Sequence, residues 1–194
     1  RMTFTGTQGQ RVALDVASPT IVECNAHVSL LTPGAEVPSQ TLGSTCVGFM
    51  DPVTLPNTGP YTLFADPGNA TTGSLISRLY QVDPDLSGPI TVNAPAINVT
   101  TTGPGQAAEY TFTGANLDQI TVHITNNQMH ADVANGYVWV KLLDPNGGMM
   151  TNALLPYDSF DLPTQALTIP GQYKVVMDPY RANFGTLSLR VTKP

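Results

Sequence analysis

The chain has 194 residues, of which 11% are charged, and it carries a formal net charge of −6 with a sequence pI near 4.7. An acidic surface poor in lysine and arginine repels phosphate backbones and anionic lipids. The apolar runs are short, such as VWVKLL at 138–143, far below the roughly 20 residues that a membrane-spanning helix needs. We therefore expect neither nucleic-acid binding nor membrane insertion.

The N-terminal end of the chain is already strand-like. Arg1-Met2-Thr3-Phe4 shows no signal-peptide pattern, so we expect the chain to be a mature or excised part of a longer protein. Cys24 and Cys46 are the two cysteines. In a chain of this Thr-, Gly- and Pro-rich composition we expect them to form a disulfide, worth roughly 3 kcal/mol by loop entropy. The alternative is a pair of buried thiols. A disulfide implies an oxidising, extracellular setting.

Apolar residues alternate with polar ones in short runs along the chain, and clusters of Gly, Pro, Asn and Asp separate these runs. The alternating apolar residues are Val12, Leu14 and Val16; Val28 and Leu30; Tyr61 and Leu63; Ile120, Val122 and Ile124; Val138, Val140 and Leu142; Tyr173, Val175 and Met177; and Leu187, Leu189 and Val191. A period of two is typical of strands with one buried face. With 17 prolines and 17 glycines there is little room for a long helix. The sequence predicts an all-β, antiparallel sandwich or barrel.

One motif occurs twice, as VTLPNTGPYTLFADPG at 53–68 and as ALTIPGQYKVVMDPYR at 166–181. In each copy Pro and Gly make a turn, a tyrosine supplies a ring to the core, and Asp-Pro ends the strand. The placement resembles a tyrosine corner. We therefore expect a structural role, and no catalytic one, for Tyr61 and Tyr173 and for the aspartates that follow them.

Other segments match in the same order and keep their apolar alternation. They are FTGT at 4–7 with FTGA at 112–115, QRVALDV at 10–16 with DQITVHI at 118–124, and HVSLLTPGAEV at 27–37 with WVKLLDPNGGM at 139–149. Such matching in register is typical of a tandem duplication. The sequence predicts two tandem β-sandwich domains, 1–82 and 89–194, joined by a linker at 83–88.

The order F-T-G, GQRVALDV, V-x-L-L-x-P-x-G, VTLPNTGPYTLFADP and TGSL resembles the bacterial pre-peptidase C-terminal (PPC-like) sandwich repeats of large secreted and cell-surface proteins. The second half resembles them more loosely, because Tyr180-Arg181 follow its Asp-Pro. The resemblance implies jelly-roll-like accessory domains, similar to carbohydrate- or collagen-binding modules, but a scaffold does not fix a ligand. It also implies that the runs ITV and INV within 83–109 open the second domain, and that upstream sequence or another chain supplies their missing equivalents in the first.

The sequence contains no catalytic constellation that we recognise. It has no G-x-S-x-G elbow, no H-E-x-x-H helix and no phosphate-binding loop. Its histidines are His27, His123 and His130. The repeat register places His123 outward on a strand, where we expect a solvated residue, and His130 with Asp132 makes neither a triad nor a metal site. We expect no enzyme activity and no cofactor.

Asp-rich turns offer the oxygen ligands that calcium prefers. They lie at Asp66, at Asp144 and at Asp158 with Asp161. None has the residue spacing of a calcium loop, and Asp and Asn are common in ordinary turns. We therefore predict no metal site.

Aromatic residues that the second half adds carry the functional hypothesis. Alternation turns Tyr137, Trp139 and Lys141 to the outer face of their strand, and loop aromatics lie nearby in the sequence. The candidate binding residues are Tyr137, Trp139, Lys141, Tyr157, Phe160 and Tyr180. Aromatic faces stack on sugar rings, and aromatic patches mark binding surfaces. The alternative is that Trp139 packs against a loop or a neighbouring domain.

These features predict a non-catalytic extracellular binding or adhesion module, with polysaccharide as the favoured ligand. The alternative is a structural subunit of a self-assembling filament or surface layer, in which sandwiches dock head to tail through the incomplete sheet edge of the first domain. A binding module stays monomeric at high concentration, whereas a structural subunit does not.

Overall fold

The computed structural model describes residues 1–17, 20–21, 26–32, 35–41, 47–67, 72–129, 137–155 and 158–194. These residues form strands and turns and no helix, so the all-β prediction is confirmed. No helix long and apolar enough to cross a membrane occurs among them. The chain forms two compact units, Arg1–Val82 and Asp83–Pro194, called units 1 and 2 below. Cys24 and Cys46 lie outside the described residues, so the disulfide stays a prediction.

Unit 1 is built from two antiparallel sheets. Its described strands are β1 (Met2–Gly6), β2 (Arg11–Ala17), β3 (Ala26–Thr32), β4 (Ala35–Thr41), β5 (Val47–Thr54), β6 (Gly59–Pro67) and β7 (Ile76–Gln81). One sheet has the order β1-β6-β3-β4 and the other the order β5-β2-β7. Alternate residues of β2, β3 and β6 point into one shared apolar core, which includes Leu14, Leu30 and Tyr61. Burial of these alternating side chains holds the two sheets together.

Unit 2 has two larger sheets around a core of its own. Its described strands are β8 (Leu86–Pro89), β9 (Ile97–Thr100), β10 (Ala108–Gly114), β11 (Gln119–Thr125), β12 (Val138–Leu143), β13 (Met149–Leu155), β14 (Phe160–Asp161), β15 (Gln165–Ala166), β16 (Gly171–Pro179) and β17 (Thr186–Thr192). The first sheet has the order β13-β12-β16-β10-β8, in which β8 runs parallel to β10. The second has the order β14-β11-β17-β9, and β15 also pairs with β11.

The strand order of unit 1 recurs inside unit 2. The sheet β1-β6-β3-β4 corresponds to β10-β16-β12-β13, and the pair β2-β7 corresponds to β11-β17. Unit 2 carries two further strands on this common frame, with β8 beside β10 and β9 beside β17. Both precede β10 in the chain.

The repeated motif forms the same local structure in both units. The Tyr61 hydroxyl donates a hydrogen bond to the Asn57 carbonyl at 2.7 Å, and the Tyr173 hydroxyl donates to the Ile169 carbonyl at 2.6 Å. Each ring stacks on a phenylalanine of the neighbouring strand, with centroids 5.5 Å apart in unit 1 and 5.6 Å apart in unit 2. The turn before each tyrosine contains a glycine with φ of 153°, a conformation that other residues rarely adopt. The motif therefore supplies a buried, stacked tyrosine to the core of each unit.

The start of unit 2 differs from the sequence prediction. The interval 83–88 assigned to a linker contains the beginning of β8, and the run ITV at 90–92 is not a strand, although Ile90 still donates a hydrogen bond to the Thr111 carbonyl at 2.8 Å. The chain then turns at Asn93, whose φ is 65°, a value typical of turns. The opening strands of unit 2 are therefore Leu86–Pro89 and Ile97–Thr100.

Candidate functional site

The candidate site lies on the outer face of the first sheet of unit 2. On β12, Val138, Val140 and Leu142 are buried in the core, so the residues between them face outward. Trp139 is half-buried and stands in register between Leu154 of β13 and Asp178 of β16. Its neighbours across the sheet are thus an aliphatic chain on one side and a carboxylate on the other.

Two tyrosines extend this face at the end of β12. The rings of Tyr137 and Tyr180 meet edge to face, with centroids 6.2 Å apart and planes at 87°. The Tyr180 N–H donates to the Tyr137 carbonyl at 2.9 Å, and the same carbonyl accepts from Nδ2 of buried Asn183 at 3.3 Å. In the turn that follows Tyr180, Arg181 has a φ of 59°. Tyr180 remains 42% exposed, so this pair offers an aromatic edge to solvent. We call Tyr137, Trp139 and Tyr180 the aromatic patch.

Two lysines on the same face are paired with carboxylates. Lys141 Nζ lies 3.3 Å from Asp178 Oδ2, beside Trp139. Lys174 Nζ lies 3.0 Å from Glu109 Oε1. Because each of these two lysines has its carboxylate partner on a neighbouring strand, the two ion pairs add little net charge to this face. Such a surface favours an uncharged ligand over a polyanion.

A cavity of about 320 Å³ lies at the other edge of this sheet. It is lined by Asp85, Leu86, Ser87, Ala107, Ala108, Glu109 and Val176. Val176 stands in register with Lys141, so the cavity and the aromatic patch share one sheet. Of its two carboxylates, Glu109 is the one paired with Lys174, and Asp85 accepts a hydrogen bond from the Ala107 N–H at 3.1 Å.

The remaining sequence candidates are Phe160 and Tyr157. Phe160 was expected to join the aromatic surface, which is wrong. It lies on β14 in the other sheet, opposite buried Ile124, and packs against the core. Adjacent strand residues point to opposite faces, and Asp161 takes the outward position. Tyr157 lies outside the described residues, so its role stays a prediction.

Asp161 belongs to a polar arrangement that sequence reasoning missed. Hydrogen bonds join His123 Nδ1 to Asp161 Oδ1 at 2.6 Å and His123 Nε2 to Thr192 Oγ1 at 2.7 Å. His123 does face outward, but it is held at both ring nitrogens and is not the freely solvated residue expected. The bonds connect β14, β11 and β17 across the outer face of the second sheet. The repeat alignment gave no signal for them, because Asp161 lies in a segment that the first half lacks.

This order of carboxylate, imidazole and hydroxyl is also the order found in acyl-transfer triads. There the carboxylate orients the ring, and the second nitrogen bonds the hydroxyl that attacks. Here all three side chains belong to strands of one sheet, and His123 and Asp161 are directly opposite in register. The observed geometry is a pair of side-chain hydrogen bonds that joins the three strands.

The Asp-rich turn at Asp144 uses its carboxylate within the turn. Oδ1 accepts hydrogen bonds from the backbone N–H groups of Asn146 and Gly148, both at 2.8 Å. This is an ordinary role of aspartate in turns. In the part of the chain that the structure describes, no three His, Cys, Asp or Glu side chains group closely enough to hold a metal ion.

Comparisons with known proteins give structural neighbours only. No protein-family model matches the sequence, and no curated protein matches it. A pre-peptidase C-terminal domain of a collagenase from Bacillus anthracis is similar, with 20% identity, a TM-score of 0.44, and coverage of 56% of this chain and 97% of that one. The periplasmic g-type lysozyme inhibitor PliG of Aeromonas hydrophila has 13% identity and a TM-score of 0.37, over 56% and 99%.

A third structure covers more of the chain. It contains the M60 catalytic domain with the CBM51-1 and CBM51-2 domains of ZmpB from Clostridium perfringens, with 8% identity and a TM-score of 0.31, over 94% of this chain and 33% of that one. The fold class assigned above rests on the strands and sheets of the chain itself.

Proposed function

We propose that the chain is a non-catalytic extracellular module that binds neutral polysaccharide on the aromatic patch of unit 2. The observation that carries this proposal is the outward placement of Trp139, the chain's only tryptophan, beside the edge-to-face pair of Tyr137 and Tyr180. Sugar rings present C–H groups that pack on aromatic faces, and their hydroxyls bond to polar neighbours. Lys141 and Asp178 supply such polar groups next to the indole.

The paired charges support a neutral ligand class. A polyanion would have to compete with Asp178 for Lys141, and a polycation would have to displace Lys141 from Asp178. A neutral glycan can instead accept from the ammonium and donate to the carboxylate without breaking the pair. Binding that rests on packing and such bonds depends weakly on salt, because it neutralises no net charge.

The test is retention of the full chain on a panel of immobilised polysaccharides: neutral β-glucan, xylan, mannan and chitin, with acidic alginate for comparison. We expect retention on a neutral member of the panel and its loss in Trp139→Ala. Retention should change little between low and high salt. Phe64→Ala is the matched control, because it removes a half-buried aromatic from the unit 1 sheet that contains β6, and it should leave retention intact.

The stability of Trp139→Ala decides what a loss of retention means. Since Trp139 is half-buried, its truncation should cost less than the roughly 3–5 kcal/mol typical of a fully buried aromatic. Equal retention of wild type and Trp139→Ala, or retention on alginate alone, would contradict the proposal. A concentration-dependent oligomer in sedimentation, without retention on any glycan, would favour a structural subunit instead.

A further inference from the structure

The aromatic patch and the cavity beside β8 lie on one continuous surface, the outer face of the first sheet of unit 2. Residues that stand directly opposite one another form a row across its strands: Asn152, Lys141, Val176, Glu109 and Ser87. Their chain neighbours Val140 and Ala108 are buried in the core, so the row faces outward. Val176, Glu109 and Ser87 also line the cavity. The row therefore leads from the strand of Trp139 to the cavity.

Polar and apolar groups alternate along this row. Val176 lies between two ion pairs, with Lys141 and Asp178 at 3.3 Å towards β12 and Lys174 and Glu109 at 3.0 Å towards β10. Binding clefts typically combine an apolar lining with a few polar groups that fix the orientation of the ligand. A sugar chain suits this surface, because its ring C–H groups can pack on the valine while its hydroxyls bond to the charged groups on either side.

The cavity end of the row is rich in hydrogen-bond acceptors. An ionised carboxylate donates no hydrogen bond and accepts up to about four, so Glu109 can accept from a ligand and still keep its contact with Lys174. Asp85 brings a second carboxylate, and the hydroxyl of exposed Ser87 can donate or accept. A ligand that fits here has to bring donors without negative charge, as the hydroxyls of a neutral glycan do.

We propose that the glycan lies as an extended chain across the strands of this sheet, from the aromatic patch over Val176 into the cavity. This inference rests on the proposed function and adds the direction of the ligand and a second set of contacts. Neighbouring strands are about 4.8 Å apart, so the path from β12 to β8 spans about 14 Å. That span exceeds one sugar ring, and the site therefore recognises an oligosaccharide.

Two outward residues of the same sheet lie off this path. Asn152 is exposed at the other end of the row, on β13, where its Nδ2 lies 3.1 Å from Met149 Sδ. Thr113 is exposed on β10, further along that strand than Glu109. Contact with Asn152 would mean that the glycan runs towards β13, and contact with Thr113 would mean that it runs along the strands.

The probes are oligosaccharides of β-glucan, xylan, mannan and chitin, each as a disaccharide and as a hexasaccharide, titrated into the full chain in a calorimeter. We expect the hexasaccharide that binds to do so at least about tenfold more tightly than its disaccharide, because it reaches the cavity. In NMR spectra, backbone amide signals of residues 86–88 and 107–109 should move with the hexasaccharide and not with the disaccharide. The indole signal of Trp139 should move with both.

A pair of double variants locates the second set of contacts. Ser87→Ala with Glu109→Ala removes polar groups from the cavity end, and it should weaken hexasaccharide binding at least about tenfold while disaccharide binding stays the same. Thr113→Ala with Asn152→Ala is the matched control, because it truncates two polar side chains on the same face away from the path. It should leave both affinities unchanged.

The inference is overturned if the hexasaccharide binds no more tightly than the disaccharide, or if the signals of 86–88 and 107–109 do not move. It is also overturned if the variant at Ser87 and Glu109 binds the hexasaccharide as well as wild type. The proposed function survives each of these results when Trp139→Ala still abolishes binding, because the site is then confined to the aromatic patch. Absence of binding to every one of these oligosaccharides overturns the proposed function and this inference together.

Discussion

Units 1 and 2 place equivalent side chains at their inward positions and different ones at their outward positions. His27 stands opposite Asp66 in unit 1, and Trp139 stands opposite Asp178 in unit 2. The inward tyrosines of the two units make nearly the same hydrogen bond and the same stack. A shared core constrains what faces it, whereas outer faces are free to vary. Function that is specific to one unit therefore has to be sought on its outer face and at its edges.

The largest losses of stability are expected from substitutions at the buried tyrosines of the two units. We expect Tyr61→Ala and Tyr173→Ala each to cost roughly 3–5 kcal/mol of unfolding free energy, as for other fully buried aromatics. Each substitution should loosen the unit to which it belongs, because the two cores are separate clusters. Native-state hydrogen exchange over Arg1–Val82 and Asp83–Pro194 measures this.

The Tyr→Phe variants at the same two positions are the controls. They keep the stacked ring and lose the hydroxyl bond to the turn, which is worth about 1 kcal/mol. If Ala and Phe substitutions had equal effects, the rings would not be the part of the motif that stabilises the cores.

A smaller loss of stability is expected from substitutions at two glycines that occupy corresponding positions in the two units. An added Cβ at Gly6 would collide with Leu55 and one at Gly114 would collide with Leu167, and each would also crowd the neighbouring tyrosine ring. Overpacking of this kind costs typically 1–3 kcal/mol. We therefore expect Gly6→Ala and Gly114→Ala to lower the urea midpoint of the full chain by similar amounts. Gly103→Ala is the control, because its Cβ would meet nothing within 4 Å. A large effect in one unit and none in the other would show that the two frames differ.

The outer faces of the corresponding strands β2 and β11 differ in their polar contacts. Asp15 of β2 pairs with Arg78 at 3.6 Å, whereas His123 of β11 bonds both Asp161 and Thr192. We expect His123→Ala to cost about 1–2 kcal/mol, since it removes two hydrogen bonds. Arg78→Ala should cost less than about 1 kcal/mol, as is usual for an exposed ion pair. Urea titration of both variants gives the difference.

Hydrolysis of an activated ester is the companion measurement for His123. We expect wild type and His123→Ala to show the same background rate. A rate in wild type that the substitution abolishes would contradict the non-catalytic part of the proposed function.

The smallest effect is on pH dependence and concerns one turn that both units share. The Thr7 N–H bonds to Gln10 in unit 1 at 3.1 Å, and the Ala115 N–H bonds to Asp118 in unit 2 at 3.0 Å. A hydrogen bond from Lys193, then that backbone N–H, holds the pKa of Asp118 below its ordinary value of 3.8. A lowered pKa contributes stability that is complete above the unfolded value and is lost as the pH falls through the folded value.

Unit 2 should therefore lose stability from this site as the pH falls below about 4, and unit 1, with its neutral glutamine, should not. Asp118→Asn removes the ionisation and should flatten this part of the acid profile for unit 2. An acid profile unchanged by Asp118→Asn would show that the Lys193 contact does not persist in solution.

Much of the strand arrangement that the two units share could be predicted from the sequence, because it depends on local residue patterns. Alternation predicted the all-β class, and the two tyrosine motifs pointed to the turns where Tyr61 and Tyr173 now bond. The run ITV was misassigned because apolar residues at 90 and 92 look like a strand, although the chain turns at Asn93. Alternation alone does not show where a strand stops pairing.

The candidate site was harder to predict, because it depends on pairing between distant segments. The sequence suggested that Phe160 lies in a loop, whereas in the structure it pairs opposite Ile124 and faces inward. The partners of His123 come from β14 and β17, far away in the chain. The Tyr137–Tyr180 contact depends on a turn after β16 that has no simple sequence signature.

The most direct test of the proposed site uses the chain's only tryptophan, Trp139, as its own reporter. Intrinsic fluorescence should be recorded while the neutral polysaccharide that retains the chain is added in soluble, oligomeric form. If sugar rings stack on the indole, the emission should change in intensity and shift to shorter wavelength, and it should saturate with the same Kd that calorimetry gives. Calorimetric binding with an unchanged tryptophan emission would contradict the assignment of the site to Trp139.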